Sequence, residues 1–106
     1  MRKVSSPTAQ RRLRRYIDVL QKQLPVLRRH FHVQYLGLFG SYVQGTPQRN
    51  SDLDILVEFS KTPSLFKFIE LEGYLSNLLG VKVDLVMKGT LKPLIGRRIL
   101  SEVVGL

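Results

Sequence analysis

The stretch Gly40-Ser41-Tyr42-Val43-Gln44-Gly45, followed by Ser51-Asp52-Leu53-Asp54, decides how this chain folds. The apolar segment VQYLGLF at 33–39 runs directly into the Gly-Ser pair, which predicts a buried strand that turns into a short helix over 41–45. Asp52 and Asp54 stand at the start of a second apolar segment, LDILVEF at 53–59, which predicts the next strand. Glycine at such a corner lets the backbone approach a ligand, and the N–H groups exposed there favour phosphate.

The aspartates are the strongest chemical signal. Residues i and i+2 of a strand project from one face, roughly 6–7 Å apart, so Asp52 and Asp54 form an oxygen site suited to Mg²⁺ or Mn²⁺ bound to a triphosphate. A third carboxylate, Asp84, interrupts the apolar segment VKVDLVM at 81–87, which predicts a third strand. If the two strands are neighbours in register, the three carboxylates converge, and Asp84 could act as a general base. The alternatives are solvated carboxylates at a strand edge and, for Asp84, a salt bridge to an arginine.

Helical spacing and prolines define the first helix. Apolar residues recur at helical spacing from Ala9. Pro25 is expected to break this helix, so that a second short helix covers about 25–31.

The second half of the chain predicts a long helix, a further helix and a short strand. Thr62 is expected to cap the long helix with Pro63 in its first turn, and Gly80 to end it. The residues 91–102 are expected to be helical, with an interruption near Pro93 and Gly96, and 103–106 to form a short strand. The apolar stripe of the long helix is predicted to be Leu65, Phe66, Ile69, Leu71, Tyr74, Leu75, Leu78 and Leu79.

The order of elements predicts an α/β (α+β) fold, with a small mixed β-sheet and helices mainly on one face. A chain of 106 residues predicts a single domain, which we place at 9–106 behind a flexible basic arm at 1–8. There is no cysteine, which excludes disulfides and cysteine-ligated zinc. The basic N-terminus is not followed by an apolar segment, so we expect no secretory signal, no membrane partner and a cytoplasmic location.

Positive charge is concentrated at the N-terminus. The net charge is +9, and residues 1–30 carry nine basic residues against the single acid Asp18, a net charge of +8. This segment could bind nucleic acid through phosphates, dock on an acidic partner, or simply be a solvated helix face.

The motifs GLFGSYVQG, SDLDILVEF, VKVDLV and LKPLIGRRIL together resemble the minimal nucleotidyltransferase (MNT) family, a branch of the DNA polymerase beta nucleotidyltransferase superfamily. The resemblance covers about 24–106. It implies the nucleotidyltransferase fold, with Gly40 and Ser41 binding the nucleotide and with Asp52, Asp54 and Asp84 as catalytic and metal-binding residues. It also implies metal-dependent transfer of a nucleoside monophosphate, here AMP from ATP, with release of pyrophosphate.

Many members of this family resemble antitoxins encoded beside a HEPN-domain ribonuclease toxin. The resemblance implies that the chain is a type VII-like antitoxin that adenylylates a hydroxyl of such a toxin, a tyrosine in several cases. The family usually has arginine before the second glycine of its first motif, whereas this chain has Gln44. Glutamine carries no charge to pair with phosphate, which motivates an alternative: neutralisation of the partner by binding, with little or no catalysis.

Overall fold

The computed structural model describes residues 7–47, 51–91 and 93–106. Four strands form one sheet in the order β3-β2-β1-β4. Strand β2 is antiparallel to β1 and parallel to β3, and β4 is antiparallel to β1, so the predicted mixed sheet is confirmed. In chain order the elements are α1 (Pro7–Phe31), β1 (Val33–Phe39), α2 (Ser41–Gln44), β2 (Leu53–Phe59), α3 (Leu65–Leu79), β3 (Val83–Met87), a 3-10 turn (Lys88–Thr90), α4 (Pro93–Glu102) and β4 (Val104–Gly105).

The main core lies between one face of the sheet and the helices α1 and α3. Alternate side chains of β2, those of Leu53, Ile55 and Val57, are fully buried there. They belong to the same apolar cluster as Leu20 of α1 and Leu75 of α3. Because strand side chains alternate between faces, the side chains of residues 54 and 56 project from the opposite face of the sheet.

Helix α1 is continuous, and the break predicted at Pro25 is wrong. Pro25 lies inside the 25-residue helix on its exposed side. An interior proline costs about 3 kcal/mol. Leu20 and Leu27, one before and one after it, are both fully buried, and each contributes about 1.5–3 kcal/mol, so the apolar stripe outweighs the local cost. The helix begins at Pro7 rather than Ala9, and 1–6 of the predicted arm lie outside the described residues.

Helix α3 begins later than predicted. Ser64, not Thr62, is its N-cap, because the Ser64 hydroxyl accepts a hydrogen bond of 3.2 Å from the Lys67 N–H. Pro63 therefore precedes the helix. Gly80 ends it with a left-handed φ of 70°, as predicted.

Only part of the predicted α3 stripe is buried. Leu71, Leu75 and Leu79 face the core, whereas Leu65 and Phe66 are 71% and 85% exposed, and Ile69 is also exposed. At about 100° per residue, these three lie far around the helix axis from Leu71. The prediction was wrong here because it counted apolar residues without separating the two sides of the helix.

The C-terminal elements differ from prediction in detail. Strand β3 starts at Val83 rather than residue 81, and the sequence did not predict the 3-10 turn after it. Helix α4 begins at Pro93, where a missing N–H is harmless, and continues through Gly96 without the predicted interruption. A side chain at Gly96 would crowd Leu91 at 3.3 Å, which accounts for the glycine. The short strand β4 confirms the predicted terminal strand. No described helix is both long and apolar enough to cross a membrane.

Candidate active site

Gly40 forms a sharp corner at the end of β1. Its φ of 82° and ψ of −157° lie in a region that favours glycine. A β-carbon here would overlap Asp54 Oδ2 and lie 2.9 Å from Asp54 Cγ. Glycine is therefore required for two reasons: the backbone conformation favours it, and any side chain would collide with Asp54. The backbone of the corner lies directly against the Asp54 carboxyl group.

The turn after Gly40 is closed by backbone hydrogen bonds and fixed to α1. Gln44 N–H donates to the Gly40 carbonyl at 3.0 Å, and Thr46 N–H donates to the Ser41 carbonyl at 2.9 Å. The Tyr42 ring is buried and packs edge-on against Tyr16, with 5.7 Å between ring centroids. Packing of Tyr42 against α1 therefore fixes the position of the corner relative to the first helix.

Strand pairing brings the carboxylates together. Strands β2 and β3 run parallel with Asp54 directly opposite Asp84, and β1 places Phe39 opposite Asp54. Burial raises the pKa of Asp54 to about 6, with further contributions from the charges of Asp84 and Asp52 and from a hydrogen bond with Asp84. The charges of Asp52 and Asp84 therefore act on Asp54 beside the Gly-Ser corner.

Asp84 differs from its expected surroundings. The sequence suggested an acid inside a buried strand, but the Asp84 side chain is exposed because it projects from the face opposite the core. Its neighbours Val83 and Leu85 are buried. Among the described residues Asp84 forms no ion pair with an arginine. A hydrogen bond with Asp84 is one of the causes of the raised pKa of Asp54.

Asp52 lies just before β2 and faces a lysine. Its Oδ2 is 4.0 Å from Lys82 Nζ, and the two side chains are 38% and 81% exposed. Such a long, solvated pair contributes little to stability. Asp52 is therefore free to exchange this contact for another cation.

A divalent cation fits these donors chemically, although no group of three or more His, Cys, Asp or Glu side chains in 7–47, 51–91 and 93–106 is arranged to hold an ion as it stands. Repulsion from the charges of Asp84 and Asp52 helps to raise the pKa of Asp54. A cation bound between these carboxylates would relieve the repulsion. Carboxylate oxygens are the ligands that Mg²⁺ prefers.

The sequence did not reveal what Gln44 contacts. Its Nε2 donates a hydrogen bond of 3.0 Å to Glu102 Oε2 at the end of α4. Glu102 Oε1 also lies 3.9 Å from Arg98 Nε. Gln44 thus connects the turn after Gly40 to the C-terminal helix.

Comparison with known proteins identifies the family of the chain. The family model described as a nucleotidyltransferase domain matches residues 9–106. A relative from Thermococcus cleftensis, named protein adenylyltransferase MntA, is 53% identical over 87 residues, which cover 82% of this chain and 88% of the relative. A solved structure described as a minimal nucleotidyltransferase aligns with a TM-score of 0.72 at 32% identity, covering 92% of this chain and 95% of that chain.

A solved toxin–antitoxin structure with AMP-PNP also contains a similar chain. It aligns with a TM-score of 0.63 at 31% identity, covering 84% of this chain and 67% of that chain. The chain described here therefore belongs to the nucleotidyltransferase-domain family, as a minimal nucleotidyltransferase.

Proposed function

We propose that this nucleotidyltransferase transfers AMP from ATP to a tyrosine hydroxyl of a HEPN ribonuclease toxin, in a reaction that requires Mg²⁺ or Mn²⁺, and so acts as an antitoxin. The observation that carries the proposal is the pairing of Asp54 with Asp84 on parallel strands, directly against the Gly40 corner. The name of the Thermococcus relative supports AMP transfer to a protein. The toxin–antitoxin structure with AMP-PNP supports an adenine nucleotide and a toxin partner.

Each residue of the site has a distinct role in this reaction. Gly40 and Ser41 orient the β- and γ-phosphates through backbone N–H groups and the Ser41 hydroxyl. Asp52 and Asp54 would hold the ion, and Asp84 would complete its ligands. When bound, the ion neutralises charge on the triphosphate and on the reacting oxygens.

The chemical step is a displacement at the α-phosphorus. Asp84 accepts the proton of the acceptor hydroxyl, whose oxygen forms a bond to the α-phosphorus. The bond from that phosphorus to the bridging oxygen breaks, and pyrophosphate leaves. Because Asp84 is exposed on the strand β3 at the edge of the sheet, a hydroxyl carried by another protein can reach it.

Labelled ATP tests the proposal. The chain is incubated with Mg²⁺, a HEPN ribonuclease and ATP labelled at either the α- or the γ-phosphate. We expect label on the ribonuclease only from the α position, and none with Asp54→Asn. Asp18→Asn, which changes an exposed carboxylate on α1, is the matched control and should transfer normally. Label from the γ position, or full transfer by Asp54→Asn, would refute the proposed reaction.

Neutralisation by binding alone is a second candidate, favoured by the uncharged Gln44 and its contact with Glu102. The two candidates separate when both metal-binding carboxylates are replaced. If Asp52→Asn/Asp54→Asn still blocks the ribonuclease fully at equal concentrations, binding is sufficient. If inhibition disappears while the two proteins still associate, catalysis is required.

A further inference from the structure

Strand β3 lies at one edge of the sheet, so one side of its backbone has no strand partner among the described elements. Leu53 N–H donates to the Lys82 carbonyl at 2.8 Å. In a parallel pair this arrangement turns the N–H groups of alternate residues, those of Val83 and Leu85, away from β2. Unpaired N–H groups at a strand edge are costly when buried and invite wrong pairing when exposed.

Two side chains of α3 accept hydrogen bonds from these outward N–H groups. Val83 N–H donates to Ser76 Oγ at 3.0 Å, and Leu85 N–H donates to Glu72 Oε2 at 2.9 Å. Ser76 and Glu72 are one helical turn apart, and the Ser76 hydroxyl itself donates to the Glu72 carbonyl at 2.9 Å. All three bonds are partly buried. Helix α3 is therefore hydrogen-bonded to the backbone of β3 at the residues on both sides of Asp84.

The apolar pattern of β3 alone does not fix the register of β3 against β2, so these hydrogen bonds are needed as well. Apolar residues occupy every second position from 81 to 87, while 82, 84 and 86 point to the other face. A slip of one residue would turn the apolar side chains out of the core. A slip of two residues would keep them inside and would place Lys82 or Val86, instead of Asp84, beside Asp54.

We propose that Glu72 and Ser76 are positioning residues of the active site, which fix the register of β3 and so hold Asp84 opposite Asp54. They touch neither nucleotide nor acceptor and act only through the backbone of Val83 and Leu85. The inference rests on the proposed function for the role of Asp84, but not for the hydrogen bonds themselves.

Substitutions on α3 test the inference. Glu72→Ala removes the acceptor for Leu85 N–H, whereas Glu72→Gln keeps an oxygen in the same place. Glu70→Ala is the matched control, because Glu70 lies on the same helix and its carboxylate pairs with Lys67 at the surface rather than with β3. Ser76→Ala tests the other hydrogen bond independently, should Glu72→Ala fail to fold.

Three readouts are measured on the full chain: amide exchange at Val83 and Leu85, the dissociation constant for Mn²⁺, and kcat and KM for AMP transfer. We expect Glu72→Ala to accelerate amide exchange at Leu85. It should also raise the dissociation constant for Mn²⁺ and lower kcat, each by about tenfold. KM for ATP should change little, and Glu72→Gln should restore all three values. Ser76→Ala should act in the same direction, mainly at Val83.

The outcomes separate this inference from the proposed function. If Glu72→Ala matches Glu70→Ala in exchange, Mn²⁺ binding and kcat, or if Glu72→Gln is as impaired as Glu72→Ala, the positioning role is overturned. If the unmodified chain neither binds Mn²⁺ nor transfers AMP, the proposed function fails. In that case backbone distances between β2 and β3, measured by NMR in Glu72→Ala, still decide whether Glu72 sets the register.

Discussion

Replacing Asp54 with asparagine should abolish AMP transfer and at the same time stabilise the fold at neutral pH. Burial, together with the charges of Asp84 and Asp52, raises the pKa of Asp54 from 3.8 to about 6. The native state therefore binds this proton more tightly than the unfolded chain does. As the pH rises between these two values, the native state loses stability, and the full cost is present above pH 6.

The size of the effect follows from the shift. One pKa unit corresponds to about 1.4 kcal/mol, so the shift sets a ceiling of about 3 kcal/mol. Asp54 is only partly buried, and screening by solvent reduces the expected gain to about 1–2 kcal/mol. Asparagine keeps the shape of the side chain and removes the charge.

Urea unfolding in EDTA measures this gain. We expect Asp54→Asn to be more stable than the unmodified chain at about pH 7.5, and the difference to nearly vanish at about pH 4, where the native carboxyl group is protonated. Asp18→Asn, which changes an exposed carboxylate on α1 far from the site in sequence, is the matched control. A loss of stability at the higher pH, or an equal gain at both, would contradict the electrostatic account of the site.

Three further substitutions test the corner, the first helix and the C-terminal contact. Gly40→Ala should lower the free energy of unfolding by about 1–3 kcal/mol and abolish transfer, because φ at this position is 82° and a β-carbon would overlap the Asp54 carboxyl group. The control is Gly73→Ala, whose β-carbon meets nothing within 4 Å. It should leave stability unchanged or raise it by up to about 1 kcal/mol. Pro25→Ala should raise the free energy of unfolding by up to about 3 kcal/mol, because it restores a hydrogen bond inside α1 and removes the clash of the proline ring. A loss of stability in thermal unfolding would contradict a continuous helix. Gln44→Arg should change kcat for AMP transfer by less than about threefold, because the arginine side chain would pair with Glu102 rather than with phosphate. A large gain in kcat would show that an arginine at this position reaches the nucleotide.

Elements fixed by neighbouring residues were predictable from the sequence. The strands β1 and β2 have the predicted bounds, because a continuous apolar segment and the glycine at 40 specify them locally. The predicted break at Pro25 was wrong because burial of Leu20 and Leu27 overrides the local preference. Exposure of Phe66 was missed because composition does not tell which side of a helix meets the sheet.

Contacts between distant residues could not be predicted in this way. The carboxylates themselves were identifiable as acids placed beside apolar strands. That Asp54 faces Asp84, however, depended on an assumed register, which the parallel pairing supplies. The hydrogen bond from Gln44 to Glu102 spans 58 residues of sequence, and that from Leu85 to Glu72 spans 13. Both depend on how whole elements pack, which no local pattern encodes.

Anomalous diffraction from a crystal grown with Mn²⁺ and AMP-PNP would locate both the ion and the nucleotide. We expect manganese coordinated by oxygens of Asp52, Asp54 and Asp84, with the triphosphate lying against Gly40 and Ser41. A nucleotide bound elsewhere, or manganese coordinated without Asp54, would contradict this expectation.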